Sequence, residues 1–399
     1  MRSADWIDNL AVRASYGIQG NIDKNTSPYV MGTYKVEQIL PGNSENTIRV
    51  DSPPNDKLRW EKTQSVNAGL DFSVLDQAIS LGRDYYYRYS SDLIGTKMTP
   101  VETGFSATTV NWATLRNQGI ELSLTTRNIH TKNFTWYTNF NIGYNNNKIL
   151  KMSVPANQTT PSLVGYPIGA IFAYPSAGLD SEGYPLFLNS AGEKVTAEQY
   201  FNMKNDGPDL TAEEHRALFK YIGTTEPLYS GGFTNTFTIK RFEIAVNCIF
   251  NLGQYVQTQP SYSITSYDRG MNTNRDILDR WTPSNPNGRF PALISDTKNG
   301  QSYRHNEYTA FNDLNYYNSM DTWVKKGNYM RIQSIRVGYK LPENWLKLFH
   351  MSSGSISLEG RNLFVVGSDY TNYLDPETMG NVYAQPIPKS VTFSLNLNF

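Results

Sequence analysis

Cysteine is almost missing from this 399-residue chain: Cys248 is the only one. A single thiol excludes an internal disulfide and any zinc site built from several cysteines. Charge is also scarce, at 18% Asp, Glu, Lys and Arg against about 25% in ordinary globular proteins. The 36 basic and 36 acidic residues cancel, which leaves no broad basic field for nucleic acid. The four histidines, His130, His215, His305 and His350, are scattered. No HExxH, Walker A or GxSxG pattern stands in a strand–turn–helix context. The residues therefore indicate no enzyme, no metal site and no cofactor. No apolar run reaches the ~18 residues of a transmembrane helix. The opening residues, Met1-Arg-Ser-Ala-Asp-Trp-Ile-Asp8, lack an apolar leader core, so the expectation is either a protein that is not exported or a chain that begins mid-protein.

What is abundant is alternation. From Val391 onward every odd residue is apolar (Val391, Phe393, Leu395, Leu397, Phe399), and the residues between are Thr392, Ser394, Asn396 and Asn398. A period of two marks a strand with one apolar and one wet face. Ten such segments are readable, at about 10–19, 63–72, 78–90, 117–126, 133–148, 230–239, 242–252, 328–340, 354–364 and 388–399. In the eighth the apolar parity slips between Ile332 and Ile335, which predicts a bulge near Gln333 and Ser334. Cys248 keeps the parity of Ile244, Val246 and Phe250 and reads as an apolar-face residue.

The gaps between segments alternate. Short ones follow Phe72, Thr126 and Ile239, and a moderate one covers 341–353. Long ones cover 20–62, 91–116, 149–229, 253–327 and 365–387. Short turns at one end and long loops at the other are the pattern of an outer-membrane β-barrel. The fold class expected is therefore all-β, an antiparallel transmembrane β-barrel segment of about ten strands. Phe399 falls at the periplasmic end, and 150–230 forms a small, partly helical loop subdomain. Thr211 and Glu214 there have capping-box spacing. Tyr85, Tyr87 and Tyr89 suit an interfacial girdle, and Arg83 breaks the apolar rule on the same face.

Ordered short motifs carry a resemblance. They include Leu10-Ala-Val-Arg-Ala-Ser-Tyr-Gly-Ile-Gln-Gly-Asn21, Leu58-Arg-Trp-Glu-Lys-Thr63, Asn67-Ala-Gly-Leu-Asp-Phe72 and Asn117-Gln-Gly-Ile-Glu121. Further along stand Asn145-Asn-Asn-Lys-Ile149, Pro227-Leu-Tyr-Ser-Gly-Gly232, Arg280-Trp-Thr-Pro283, Val337-Gly-Tyr-Lys-Leu-Pro342, Arg361-Asn-Leu-Phe364 and Asp375-Pro-Glu377. In this order the set resembles the C-terminal half of SusC/RagA-type TonB-linked outer-membrane proteins, the glycan and peptide importers of Bacteroidota. The resemblance implies a 22-stranded barrel, with this chain (1–399) as its C-terminal part and the plug elsewhere. It implies as partners a SusD-type surface lipoprotein, the TonB complex acting through the plug region, outer-membrane lipid, and an oligosaccharide or peptide ligand. Net neutrality and Asn/Tyr-rich loops favour a neutral glycan. Phe399 would be the signal read by the barrel-assembly machinery.

The residues expected to meet ligand or lid are the loop aromatics Trp112, Tyr174, Trp281, Tyr316, Tyr317 and Tyr370, which offer large rigid surfaces with a polar tip. Asp180-Ser-Glu-Gly183 reads as a hairpin turn rather than a calcium loop. Glu359 and Arg361 share one strand face and read as an internal lumen charge pair. The rival readings are a passive porin-like barrel and a soluble all-β glycan-binding module.

Overall fold

The computed structural model describes residues 6–399 apart from 23, 25, 106, 156, 205–206, 261, 265–271, 294–315, 349, 368–374, 380 and 382–383. Ten long strands form one antiparallel sheet in which each strand pairs with the next. They are β1 (Ile7–Asn21), β2 (Glu61–Val74), β3 (Ile79–Met98), β4 (Ala107–His130) and β5 (Phe134–Lys151). The wall continues with β6 (Tyr229–Ile239), β7 (Phe242–Leu252), β8 (Tyr329–Lys340), β9 (Ser353–Val366) and β10 (Ser390–Asn398). Each of the ten alternating sequence segments overlaps one of these strands, with ends that differ by a few residues in most and by up to about ten in β4.

The registers sort the side chains into two faces. One row runs Leu10–Phe72–Leu81–Leu124–Phe140–Phe233–Cys248–Ile332–Phe364 across nine strands. Cys248 sits inside this apolar row, as its parity predicts. A row on the opposite face runs Arg13–Gly69–Asp84–Glu121–Gly143–Ser230–Asn251–Tyr329. The apolar face has no protein covering on β10, where Val391 and Phe393 are 72% and 66% exposed. A continuous apolar belt left open in this way is a surface suited to lipid.

One polar side chain on the apolar face is satisfied by its neighbours. Asn235 lies between Phe233 and Phe237 on β6, and its carbonyl accepts from Trp136 Nε1 at 2.9 Å and Thr138 Oγ1 at 2.7 Å. Arg83 remains on this face between Leu70 and Leu122, so the register is not displaced by one residue.

The expected bulge is present: the pairing shifts between Ile332 and Ser334 on both sides of β8. Two other expectations need correction. The segment 91–116 is mostly strand, because β3 continues to Met98 and β4 begins at Ala107. Register breaks at Leu93 and a left-handed Asp92 (φ 58°) erase the parity there. The segment 20–62 is not wholly loop either; 31–40 and 43–52 pair as a hairpin.

Short connections join strands at one end: 75–78, 131–133, 240–241 and 341–352, the last carrying a helix, α1 (Glu343–Leu348). At the other end, residues from the 152–228 and 253–328 connections fold onto one another. The short strands 170–173 and 220–224 pair, as do 255–257 and 324–326. Thr211 and Glu214 form the anticipated capping box on the helix Ala212–Ala217. The core of this region joins Tyr174, Phe187, Tyr200 and Phe201 to Tyr262, Ile264, Tyr316, Tyr317 and Trp323.

Candidate functional site

The polar face of the sheet and the ends of its strands at the long-connection side form the candidate site. The polar face is rich in amide and hydroxyl side chains because many of its positions on β4–β7 are Asn, Ser, Thr or Gly, with Glu121, Tyr137, Glu243 and Ile249 among the exceptions. A concavity of about 590 Å³ runs over Asp84, Glu121, Ser123, Asn139, Asn141, Thr234 and Asn247. Nearer the long connections, a second of about 430 Å³ is lined by Asn117, Asn145, Asn147, Glu226 and Ser230.

Glycine shapes this wall by giving up its side chain. A Cβ at Gly119 would collide with the ring of Tyr86 and the carbonyl of Tyr144. Tyr86 therefore lies over Gly119 and donates its hydroxyl proton to Asn145 Oδ1 at 2.8 Å. Gly69 leaves space in the same way for Arg13 to reach two strands across the sheet. Arg13 pairs with Asp71 at 2.9 Å and with Asp84 at 3.2 Å. These pairs are open to water, so each is worth under about 1 kcal/mol; their effect is to fix charge positions. Glu359 and Arg361 pair at 2.8 Å, as read from their shared face.

At the strand ends, Asn147 Oδ1 accepts the Ile168 backbone N–H at 2.8 Å, while its amide donates to Glu226. Two points of the 152–228 connection are thereby tied to β5. The sequence displayed this site only as the Asn145–Lys148 run, a polar interruption of an alternating strand; nothing in it pointed to Glu226.

The six aromatic candidates have different fates. Trp112 is on β4, not in a loop, since the strand extends past the register breaks. Its indole is 40% exposed and lies under Lys151 Nζ at 4.0 Å and Lys97 Nζ at 5.3 Å. Tyr174, Trp281, Tyr316 and Tyr317 are buried, at 1%, 7%, 7% and 2% exposure. Tyr174 stacks on Phe219 at 4.2 Å, and Tyr316 stacks on Phe201 at 4.2 Å. Their rings are filled on both sides by protein, so sequence alone did not separate surface rings from core rings. Tyr370 lies outside the described residues. Phe399 follows the end of β10 and is 84% exposed.

Burial controls the protonation of the same core. It pushes the Tyr200 phenol up to about 12 and raises those of Tyr174, Tyr316 and Tyr317 as well. His215 is buried beside them; its Nδ1 donates to the Thr159 carbonyl at 3.2 Å, and Nε2 bonds to Tyr316 Oη at 3.1 Å. His130 ends β4 and His350 follows the short helix α1, while His305 lies outside the described residues. Among the described residues, no three His, Cys, Asp or Glu side chains converge as metal ligands. Asp180 Oδ1 accepts the backbone N–H groups of Glu182 and Tyr184 at 2.8 and 2.9 Å, the geometry of a turn.

Comparison with known proteins places this arrangement. Residues 3–363 match the family described as TonB dependent receptor-like, beta-barrel. The chain is 26% identical over 421 residues to the TonB-dependent receptor SusC of Bacteroides thetaiotaomicron, covering all of this chain and 38% of SusC. It is 26% identical over 396 residues to TonB-dependent receptor P3 of Formosa agariphila, covering 94% of this chain and 36% of that receptor. The chain thus spans less than two fifths of the length of these relatives. In fold it matches a chain in the structure of the RagAB peptide transporter with a TM-score of 0.76, at 22% identity, covering all of this chain and 42% of that one.

Proposed function

Because the chain belongs to the TonB-dependent receptor-like β-barrel family, we propose that it forms part of the wall and outer mouth of an outer-membrane importer for neutral oligosaccharides. The carrying observation is the polar face, where amides, hydroxyls and glycines predominate around the carboxylates Asp84, Glu121 and Glu226; β4 also carries an exposed indole, Trp112, nearer the long connections. Amide and hydroxyl groups exchange hydrogen bonds with sugar hydroxyls without demanding a charge, and an indole offers a flat apolar surface.

In this reading the long connections face outward and the short turns face the periplasm, so β10 runs inward and Phe399 lies at the periplasmic rim as an assembly signal. The region from 150 to 230 acts as an outer subdomain. A surface lipoprotein of the SusD type would cap the mouth, and TonB would supply energy through a plug. The strands of this chain contribute no catalytic step; they bind, orient and confine.

The test is uptake by cells carrying the gene in its native form. Labelled neutral oligosaccharides should enter only with TonB present. Trp112→Ala should weaken oligosaccharide binding about two- to tenfold, the weight of one aromatic contact, with the protein still inserted in the outer membrane. Uptake of peptides alone, with oligosaccharides excluded, would overturn the choice of ligand.

A further inference from the structure

The apolar face changes character in regular steps towards the long connections. One row is Tyr85–Ile120–Tyr144–Tyr229. The next is Tyr87–Gln118–Asn146, and the next is Tyr89–Arg116–Lys148. On β4 and β5 the apolar pair Ile120 and Tyr144 therefore gives way to amides and then to cations, while β3 keeps a tyrosine in each row. Four residues separate Ile120 from Arg116, about 13 Å along a strand and about 10 Å along the membrane normal at the usual tilt. If the tyrosine row sits at the lipid interface, Arg116 and Lys148 sit at headgroup depth.

Arg116 and Lys148 are direct cross-strand partners, and like charges facing each other in that position repel. Neither makes an ion pair among the described residues. Arg116 Nε is buried and no described group accepts its proton. Both side chains line a cavity of about 460 Å³ together with Tyr166, Tyr221 and Tyr255. Glu226 also lines it, but its carboxylate accepts from Asn147. Tyr166 and Tyr221 hold their ring centroids 4.9 Å apart, giving the cavity an apolar wall beside its two cations.

We propose that Arg116 and Lys148 bind the phosphate of a membrane lipid headgroup in the leaflet facing the long connections. A phosphate supplies several strong acceptors, enough for the unmatched Arg116 N–H and the ammonium together. It also removes the repulsion between the two cations. The inference rests on the proposed outer-membrane orientation.

The experiment is native mass spectrometry of the full protein extracted from outer membranes. It is offered a lipid with a phosphomonoester headgroup, the same lipid after phosphatase treatment, and inorganic phosphate. Retention of the phosphorylated lipid at least tenfold above the dephosphorylated one, lost in Arg116→Gln/Lys148→Gln, supports the site. Equal retention of both lipids overturns it. So does displacement of the lipid by inorganic phosphate at equal concentration, which would mark a free-phosphate site. The comparison of two lipids on the unaltered protein stands if the double variant does not fold. Absence of the protein from the outer-membrane fraction would instead refute the orientation on which the site depends.

Discussion

Arg331 of β8 and Asp375 of the last long connection form a buried ion pair, with side-chain exposures of 3% and 7%. Arg331 Nε also donates to Glu377 Oε1 at 2.5 Å. Asp375 in turn caps its own turn by accepting the Glu377 N–H at 3.0 Å. One guanidinium therefore clamps the Asp375-Pro-Glu377 turn against the polar face of the wall.

Removing one partner leaves the other charged and dry, which costs about 3–5 kcal/mol. Arg331→Leu should free the turn while the ten strands stay paired. Hydrogen exchange should show faster exchange at Glu377 and Thr378 and unchanged protection in β7 and β9. Lysine at 331 should rescue poorly, since it cannot present the planar fork that reaches both carboxylates.

Gly119→Ala should disturb the wall at a single point. The added methyl would meet both Tyr86 and the Tyr144 carbonyl, and overpacking of this kind costs about 1–3 kcal/mol. Tyr86→Phe should cost less, about 0.5–1.5 kcal/mol, because only the bond to Asn145 is lost. Denaturant unfolding of the protein in detergent would rank the two variants.

Tyr174→Ala should empty the centre of the outer core. A fully buried aromatic truncated to alanine costs about 3–5 kcal/mol. Limited proteolysis should then cut within 152–228 and 253–328 while the sheet keeps its resistance to heating in detergent. Loss of the whole barrel would show that the outer core and the wall fold as one unit.

Asp321 gives the outer core a pH dependence. Burial raises its carboxyl above the ordinary value, against the opposing hydrogen bond from the Ser176 backbone. A raised folded pKa means its contribution is fully favourable below the unfolded value and is lost as pH rises through the folded one. Acidification should therefore tighten this region. Asp321→Asn keeps an oxygen for the Ser176 N–H and should be more stable than the parent at neutral pH, with the difference vanishing in acid. Exchange rates of the Ser176 amide, corrected for intrinsic pH dependence, would check the sign.

The wall was legible where its two faces alternate by one rule. Val66 to Phe72 and Val391 to Phe399 alternate without interruption, and a one-residue slip would turn every apolar group inward. Legibility failed where that rule is locally broken. The upper parts of β3 and β4 carry register breaks around Leu93, so their alternation does not survive in the sequence. Tyr174 and Trp112 illustrate a second limit. Both are aromatics that the sequence places between alternating segments, yet Tyr174 is enclosed by rings from its own connection and from 253–328 and Trp112 is 40% exposed. Such enclosure depends on contacts between segments roughly a hundred residues apart, as in His215 with Tyr316, and leaves no local pattern.

In the proposed orientation the apolar face of the ten strands meets lipid while the opposite face meets water. Single cysteines placed along β10, in a background with Cys248 replaced by alanine, test it most directly. Spin labels at 391, 393, 395 and 397 should be accessible to oxygen dissolved in the bilayer, and those at 392, 394 and 396 to a water-soluble relaxant. A strict alternation of the two accessibilities is the predicted result. Uniform access to the aqueous relaxant at all seven positions would contradict a lipid-facing apolar side.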